Sequence, residues 1–187
     1  MARNDRLNQL SLEVFREFAR CEYALKAAGF RSGGNNVSAD WRAFADTVDP
    51  QLAHPRDPDV AAAIDYLLRH PPKKQVLRGG QLAWDDTPPQ SASHADLVLA
   101  YVRRVRNNLF HGGKFNGHWF EPQRSTELLA HSLCILRYVV QANERVREAY
   151  KRPITDRRRP GSHFFLRCLL DRRGTSQGII TTLCKPL

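Results

Sequence analysis

Three polar residues, Arg106, Asn107 and His111, form the combination in this chain best suited to chemistry. Arginine presents a planar set of N–H donors that fits a phosphate, and asparagine adds a neutral donor and acceptor. Histidine has an unperturbed pKa of about 6.5, which suits proton transfer. RNA carries its own nucleophile, the 2′-hydroxyl, so a base and a cation that stabilises the charged phosphorane suffice without a metal. The three residues therefore predict metal-independent cleavage of RNA.

These residues lie at the end of a predicted central helix. The helix begins at a capping box, Ser93-His94-Ala95-Asp96, with Asp in place of Glu, and runs to Gly112-Gly113. At about 100° per residue, Arg103, Asn107 and His111 share one arc, and Arg106 lies at its edge. Leu99 and Phe110 also fall on this arc, and we expect them to contact a second copy of the chain. The opposite arc is apolar and should face the core: Leu97, Val98, Tyr101, Val102, Val105 and Leu109.

The same residues also have a purely structural interpretation. A histidine at a helix C-terminus interacts favourably with the helix dipole, and an arginine on the polar side of a helix is commonly solvated. On spacing alone, this interpretation of His111 and Arg106 stays open.

Periodicity elsewhere predicts an all-α fold, an antiparallel helical bundle. Residues 71–93 contain Gly79-Gly80 and Pro88-Pro89, which predict a long irregular connection with a short strand-like piece at Gln81–Trp84. Asp40 and Asp57 are expected to cap the helices that follow them. The other predicted helices are Ser11–Ala28, Trp41–Thr47, Val60–His70 and Ser125–Tyr150.

Two segments resemble the HEPN superfamily of helical bundle proteins. Val105-Arg106-Asn107-Asn108-Leu109-Phe110-His111-Gly112-Gly113-Lys114 looks like the family signature, an Arg followed by four to six residues and a His at the end of a bundle helix, commonly with Asn after the Arg. The segment from Phe15 to Lys26 looks like the first helix of bacterial HEPN proteins. The resemblance extends over roughly residues 8–150.

The resemblance implies a HEPN-like bundle, a homodimer and RNA cleavage at a cleft where two motifs meet. It favours an endoribonuclease of a toxin or antiviral-defence system, with Arg106, Asn107 and His111 as catalytic residues. Many family members are inactive, so the alternative is a non-catalytic HEPN module that binds RNA or a protein. Examples of such a module are an accessory component and a toxin–antitoxin component regulated by a nucleotidyltransferase antitoxin.

Three further residues are candidates for supporting the site. Glu22 could orient an Arg or His of the site, although an ion pair with Lys26 is an equal alternative. Arg103 and Lys114 are candidates for RNA contact, and for Lys114 a plain surface position is the alternative. The remaining histidines and the four cysteines show no metal-ligand spacing, and no glycine-rich loop suits a nucleotide, so we expect no metal and no cofactor.

Charge divides the chain into two parts. Residues 1–150 contain 20 Lys and Arg against 17 Asp and Glu, a net charge of +3, whereas residues 151–187 contain 9 against 2, a net charge of +7. We expect a helical domain over 1–150 and a basic C-terminal extension over 151–187, either poorly ordered or adding attraction to phosphates. No apolar run is long enough to span a membrane, and the start of the chain does not look like a secretory signal, so we expect a cytoplasmic protein.

Overall fold

Six helices and two small antiparallel sheets form the part of the chain that the computed structural model describes, residues 2–110 and 121–152. The mostly helical architecture confirms the predicted fold class at that level. In chain order, the elements are α1 (Ala2–Ala27), β1 (Arg31–Ser32), β2 (Ser38–Ala39), α2 (Trp41–Ala53), α3 (Pro58–Arg69), β3 (Lys74–Arg78), β4 (Gln81–Asp85), α4 (His94–Phe110), α5 (Pro122–Ala142) and α6 (Glu144–Lys151).

Side-chain caps start α2 and α3 where the sequence predicts them. Asp40 Oδ1 accepts a hydrogen bond from the Ala43 N–H at 3.0 Å, and Asp57 Oδ1 accepts one from the Asp59 N–H at 2.9 Å. Each bond satisfies an N–H that has no partner within the first helical turn. The prediction that α2 ends at Thr47 is wrong, because the helix continues through Pro50 to Ala53 and buries Leu52 on the way.

Two other helix boundaries also differ from the prediction. Helix α1 starts near residue 2 rather than at Ser11, and Leu7, in the added turns, is buried in the core. The single helix predicted over Ser125–Tyr150 is two helices, because Asn143 has extended backbone with a φ of −119°. The Asn143 side chain accepts a hydrogen bond from the Val146 N–H at 3.2 Å and thereby caps α6.

One apolar core joins these helices. Helix α1 packs against α5 and α6, α3 packs against α5, and α2 packs against α4. Of the cysteines, Cys21 and Cys134 lie in the described part and are free thiols, and burial raises the pKa of both. The largest fully buried side chains are Leu7, Val14, Leu25, Phe44, Val48, Leu52, Val60, Leu67, Val98, Leu99, Ile135 and Leu136.

The connection predicted to be irregular contains a β-hairpin, so that prediction is wrong in part. Strands β3 and β4 pair from Lys74 opposite Asp85 to Arg78 opposite Gln81. The turn between them, Gly79-Gly80, has φ values of 57° and 79°. Positive φ at both central positions is what a type I′ turn requires, and glycine adopts it without strain. The strand-like piece expected at Gln81–Trp84 is therefore strand β4.

The N-terminus of α4 is held by a neighbouring helix as well as by its own cap. Ser93 Oγ accepts a hydrogen bond from the Asp96 N–H at 3.2 Å, as the capping box predicts. Asp49, near the end of α2, accepts a second bond from the Ala95 N–H at 2.8 Å. Ala95 is fully buried, so this carboxylate satisfies a donor that water does not reach.

Replacement of Asp49 by alanine tests this contact between α2 and α4. Asp49→Ala should lower the free energy of unfolding by about 2 kcal/mol, because the buried Ala95 N–H loses its charged partner. Urea unfolding followed by circular dichroism measures the difference. Asp46→Ala, at an exposed position of the same helix, is the control and should stay within about 0.5 kcal/mol of wild type. Equal stability of the two variants would contradict this role of Asp49.

Candidate functional site

Helix α4 presents a polar face at its C-terminal half. Arg103 and Asn107 are exposed and Arg106 is half-buried, as the helical wheel predicts. The expectation for Leu99 is wrong: this side chain is only 1% exposed and belongs to the core. Leu99 lies one turn before Arg103 on a helix that packs against α1, α2, α3 and α5. The polar face therefore begins at Arg103.

The Arg106 guanidinium is held by two aromatic rings and an amide. Its central carbon lies 5.1 Å from the ring centroid of Phe18, on α1, and 4.8 Å from that of Phe110. One guanidinium nitrogen donates to Asn107 Oδ1 at 3.1 Å. Aromatic rings attract the face of a guanidinium, whereas its N–H donors point outward from its edge. Arg106 is therefore oriented while several of its donors remain available to an anion.

Among the residues that the structure describes, no acid neutralises the positive charge of this face. Within residues 5–110 and 121–152, no carboxylate forms an ion pair with Arg103 or Arg106. Two arginines without acidic partners on one helix face attract phosphate groups.

Glu22 lies close to the site but acts through other side chains. Its Oε1 accepts a hydrogen bond from Trp41 Nε1 at 3.4 Å, and the Trp41 ring stacks on Phe18 with 5.2 Å between centroids. Phe18 in turn contacts Arg106. Among the described residues, Glu22 pairs with neither Arg106 nor Lys26. Its contribution is to position the Trp41 ring, which stacks on the Phe18 ring beneath Arg106.

His111 and Lys114 lie outside the described residues. The structure therefore brings together Arg103, Arg106 and Asn107, while the proposed roles of His111 and Lys114 rest on the sequence.

An exposed apolar patch adjoins Arg106. Phe110 is 42% exposed, and its ring lies 5.1 Å from that of Phe15, which is 46% exposed. Leu12, one turn before Phe15 on α1, is also exposed. The exposure of Phe110 agrees with its predicted position on the polar arc. Large apolar side chains grouped on a surface are typical of contact sites.

Side chains that sequence reasoning missed fix the β-hairpin to α4. A guanidinium nitrogen of Arg104 donates to the Pro72 carbonyl at 3.1 Å and to the Thr87 carbonyl at 3.2 Å, so it joins the two ends of the hairpin. Asn108 Nδ2 donates to the Lys73 carbonyl at 2.7 Å. These bonds place the hairpin beside the polar face of α4.

A second cluster, of histidine and tyrosine, lies between α3 and α5. The Tyr66 ring lies 4.4 Å from that of His131 and 4.7 Å from that of His70, and His131 Nε2 lies 3.6 Å from Glu127. Burial lowers the pKa of His131, and the Glu127 carboxylate opposes this effect. The rings pack the two helices together. Within the described ranges, His, Cys, Asp and Glu side chains form no group of three that suits a metal ion.

Comparison with known proteins returns no match among protein-family models, curated proteins or solved structures. No helix of the described segments is long and apolar enough to cross a membrane.

A double-mutant cycle tests the contact between Arg106 and the Phe18 ring. Phe18→Leu and Arg106→Met should show a coupling energy of about 1 kcal/mol in urea unfolding, because each change removes one partner of a cation–π contact. Phe18→Leu combined with Arg103→Met is the matched control and should show coupling close to zero. Equal coupling in the two cycles would contradict the specific contact.

Proposed function

We propose that this protein is a metal-independent endoribonuclease of the HEPN type, acting in a toxin or antiviral-defence system. The observation that carries the proposal is the arrangement at the end of α4, where Arg106 bonds to Asn107 and rests on Phe18 and Phe110 without an acidic partner among the described residues. His111 follows directly in the sequence. A mostly helical fold supports the resemblance to HEPN bundles but does not by itself distinguish them from other helical bundles.

The reaction consists of attack by the 2′-hydroxyl of RNA on the adjacent phosphorus. His111 accepts the 2′-hydroxyl proton as general base and, as the imidazolium, gives a proton to the leaving 5′ oxygen as general acid. A bond forms between O2′ and phosphorus and the bond from phosphorus to O5′ breaks, which leaves a cyclic 2′,3′-phosphate and a 5′-hydroxyl. No water enters this step and no electrons are transferred to another group.

Arg106 and Asn107 stabilise and orient the reacting phosphate. The Arg106 donors at the edge of the guanidinium bind the non-bridging oxygens, whose negative charge rises in the phosphorane. Because Phe18 and Phe110 hold the face of the guanidinium, little reorganisation is needed when the charge develops. Asn107 adds an amide donor to the phosphate or ribose.

A two-fold homodimer completes the site in this proposal. One Arg and one His are few catalytic groups for cleavage of a phosphodiester. An isologous interface brings the same two residues of a second chain to the two-fold axis. The apolar patch of Leu12, Phe15 and Phe110 lies beside Arg106 and supplies the contact area. The patch therefore supports an interface at the proposed catalytic face.

Two substitutions test the catalytic proposal. His111→Ala should lower the rate of RNA cleavage about 10²- to 10⁴-fold, and Arg106→Ala about 10²- to 10³-fold, because each removes one transition-state contribution. The assay is gel analysis of total RNA incubated with purified protein and EDTA. Arg56→Ala, at an exposed position outside the site, is the control and should cleave at the wild-type rate. Bound but intact RNA with wild-type protein would instead favour a non-catalytic HEPN module.

The dimer is tested by placing a charge in the apolar patch. Light scattering of wild type should give twice the chain mass of 21.4 kDa. Phe110→Glu should give the monomer mass and lose cleavage, because a buried carboxylate without a partner opposes association. Leu77→Glu, on the hairpin, changes a side chain that is 72% exposed and should remain dimeric and active. A monomeric wild-type protein with full activity would overturn the composite site.

A further inference from the structure

A groove lies between the β-hairpin and the polar face of α4. Its volume is about 750 Å³, and it opens to solvent. The residues that matter for its chemistry are Lys74 and Gln75 of β3 and Arg103, Arg104, Asn107 and Asn108 of α4.

The groove is positively charged. Lys74, Arg103 and Arg104 contribute three cations, and the acidic side chain in the lining is Asp85. Asp85 is already paired, because its Oδ1 lies 2.9 Å from a guanidinium nitrogen of Arg78. The remaining lining is rich in amides, which bind the sugar and phosphate oxygens of a nucleic acid without regard to sequence.

The walls of the groove are fixed before any ligand arrives. Arg104 donates hydrogen bonds to the Pro72 and Thr87 carbonyls, at the two ends of the hairpin. Asn108 donates one to the Lys73 carbonyl, just before β3. Pro88 and Pro89 continue the wall, and their fixed φ angles limit its motion. A preformed groove binds an extended chain with a smaller loss of conformational entropy.

The groove leads directly to the candidate site. Asn107 lines it and also accepts the hydrogen bond from Arg106. Arg103, one turn earlier on α4, lies in the groove as well. A strand whose phosphate lies at Arg106 therefore has a charged path for its neighbouring nucleotides.

We propose that this groove binds the sugar–phosphate backbone of unpaired RNA next to the cleaved bond, with Lys74 and Arg103 contacting phosphates. The identity of the ligand as RNA rests on the proposed function, whereas the charge and shape of the groove do not. Unpaired RNA fits because the cations of one groove contact a single backbone, while a duplex presents two strands and a wide minor groove. Arg104 has a different role, because its donors already hold the hairpin.

The experiment measures the salt dependence of RNA binding in a background that leaves the RNA intact. His111→Ala protein is titrated into fluorescein-labelled oligouridine, and fluorescence anisotropy gives the dissociation constant at several salt concentrations. Adding Lys74→Ala and Arg103→Ala should weaken binding and reduce the slope of log K against log salt by about 1.4, since each phosphate contact to a single strand contributes about 0.7.

A matched pair of substitutions controls for net charge. Arg42→Ala with Arg56→Ala removes two cations from exposed positions outside the groove and should leave the slope unchanged. If both double variants lose the same slope, or neither does, the groove is not the binding path and the proposal is overturned. Absence of any binding to the His111→Ala protein overturns it as well.

A cleavage assay distinguishes failure of the groove proposal from failure of the proposed function. It uses wild-type protein and groove variants that retain His111. With the groove variants, KM should rise while kcat stays near the wild-type value, because Lys74 and Arg103 bind substrate and transition state equally. If the groove substitutions reduce the salt slope but wild-type protein does not cleave RNA, the nuclease proposal is wrong and the groove proposal is supported. If wild-type protein cleaves RNA but the groove substitutions change neither the salt slope nor KM, the groove proposal is wrong and the nuclease proposal stands.

Discussion

Burial of the apolar face of α4 is the constraint on which the rest of the structure depends. Val98, Val102 and Val105 are buried while α4 packs against α2, α3 and α5. Once this face is fixed, helical geometry turns Arg103, Arg106 and Asn107 away from the core. The hydrogen bond from the Ala95 N–H to Asp49 sets the start of the helix at the same time. Burial of the apolar face of α4 therefore determines the direction in which the polar face points.

Two neighbours convert this polar face into a defined surface. On one side, Phe18 of α1 contacts the Arg106 guanidinium, and Trp41 of α2, hydrogen-bonded to Glu22, stacks on Phe18. On the other side, Arg104 and Asn108 hold the β-hairpin and form the wall of the basic groove. A single helix thus connects the arginine that contacts Phe18 and Phe110 with the basic groove. This connection is the physical reason for proposing that binding and chemistry occur on one face.

Sequence periodicity predicted the contacts that arise within one element and failed for those that arise between elements. The core face of α4 and the caps at Asp40 and Asp57 follow from local spacing. Leu99 was misplaced because the prediction assumed one packing face, whereas α4 packs against α1, α2, α3 and α5. The hairpin was predicted only in part, although Gly79-Gly80 between two short runs of strand-forming residues is a turn signal. The contacts of Arg106 with Phe18 and of Arg104 with the hairpin connect distant parts of the chain, and no local pattern indicates them.

The most direct test of this account concerns the nucleophile. A short oligoribonucleotide is incubated with the protein in EDTA, beside the same oligonucleotide carrying a 2′-deoxy sugar at the cleaved position, and the products are identified by mass spectrometry. Attack by the 2′-hydroxyl should give a cyclic 2′,3′-phosphate and a 5′-hydroxyl from the first substrate, and leave the second substrate bound but intact. Cleavage of the 2′-deoxy oligonucleotide at that position, or products with a 5′-phosphate, would contradict attack by the 2′-hydroxyl and with it the central proposal.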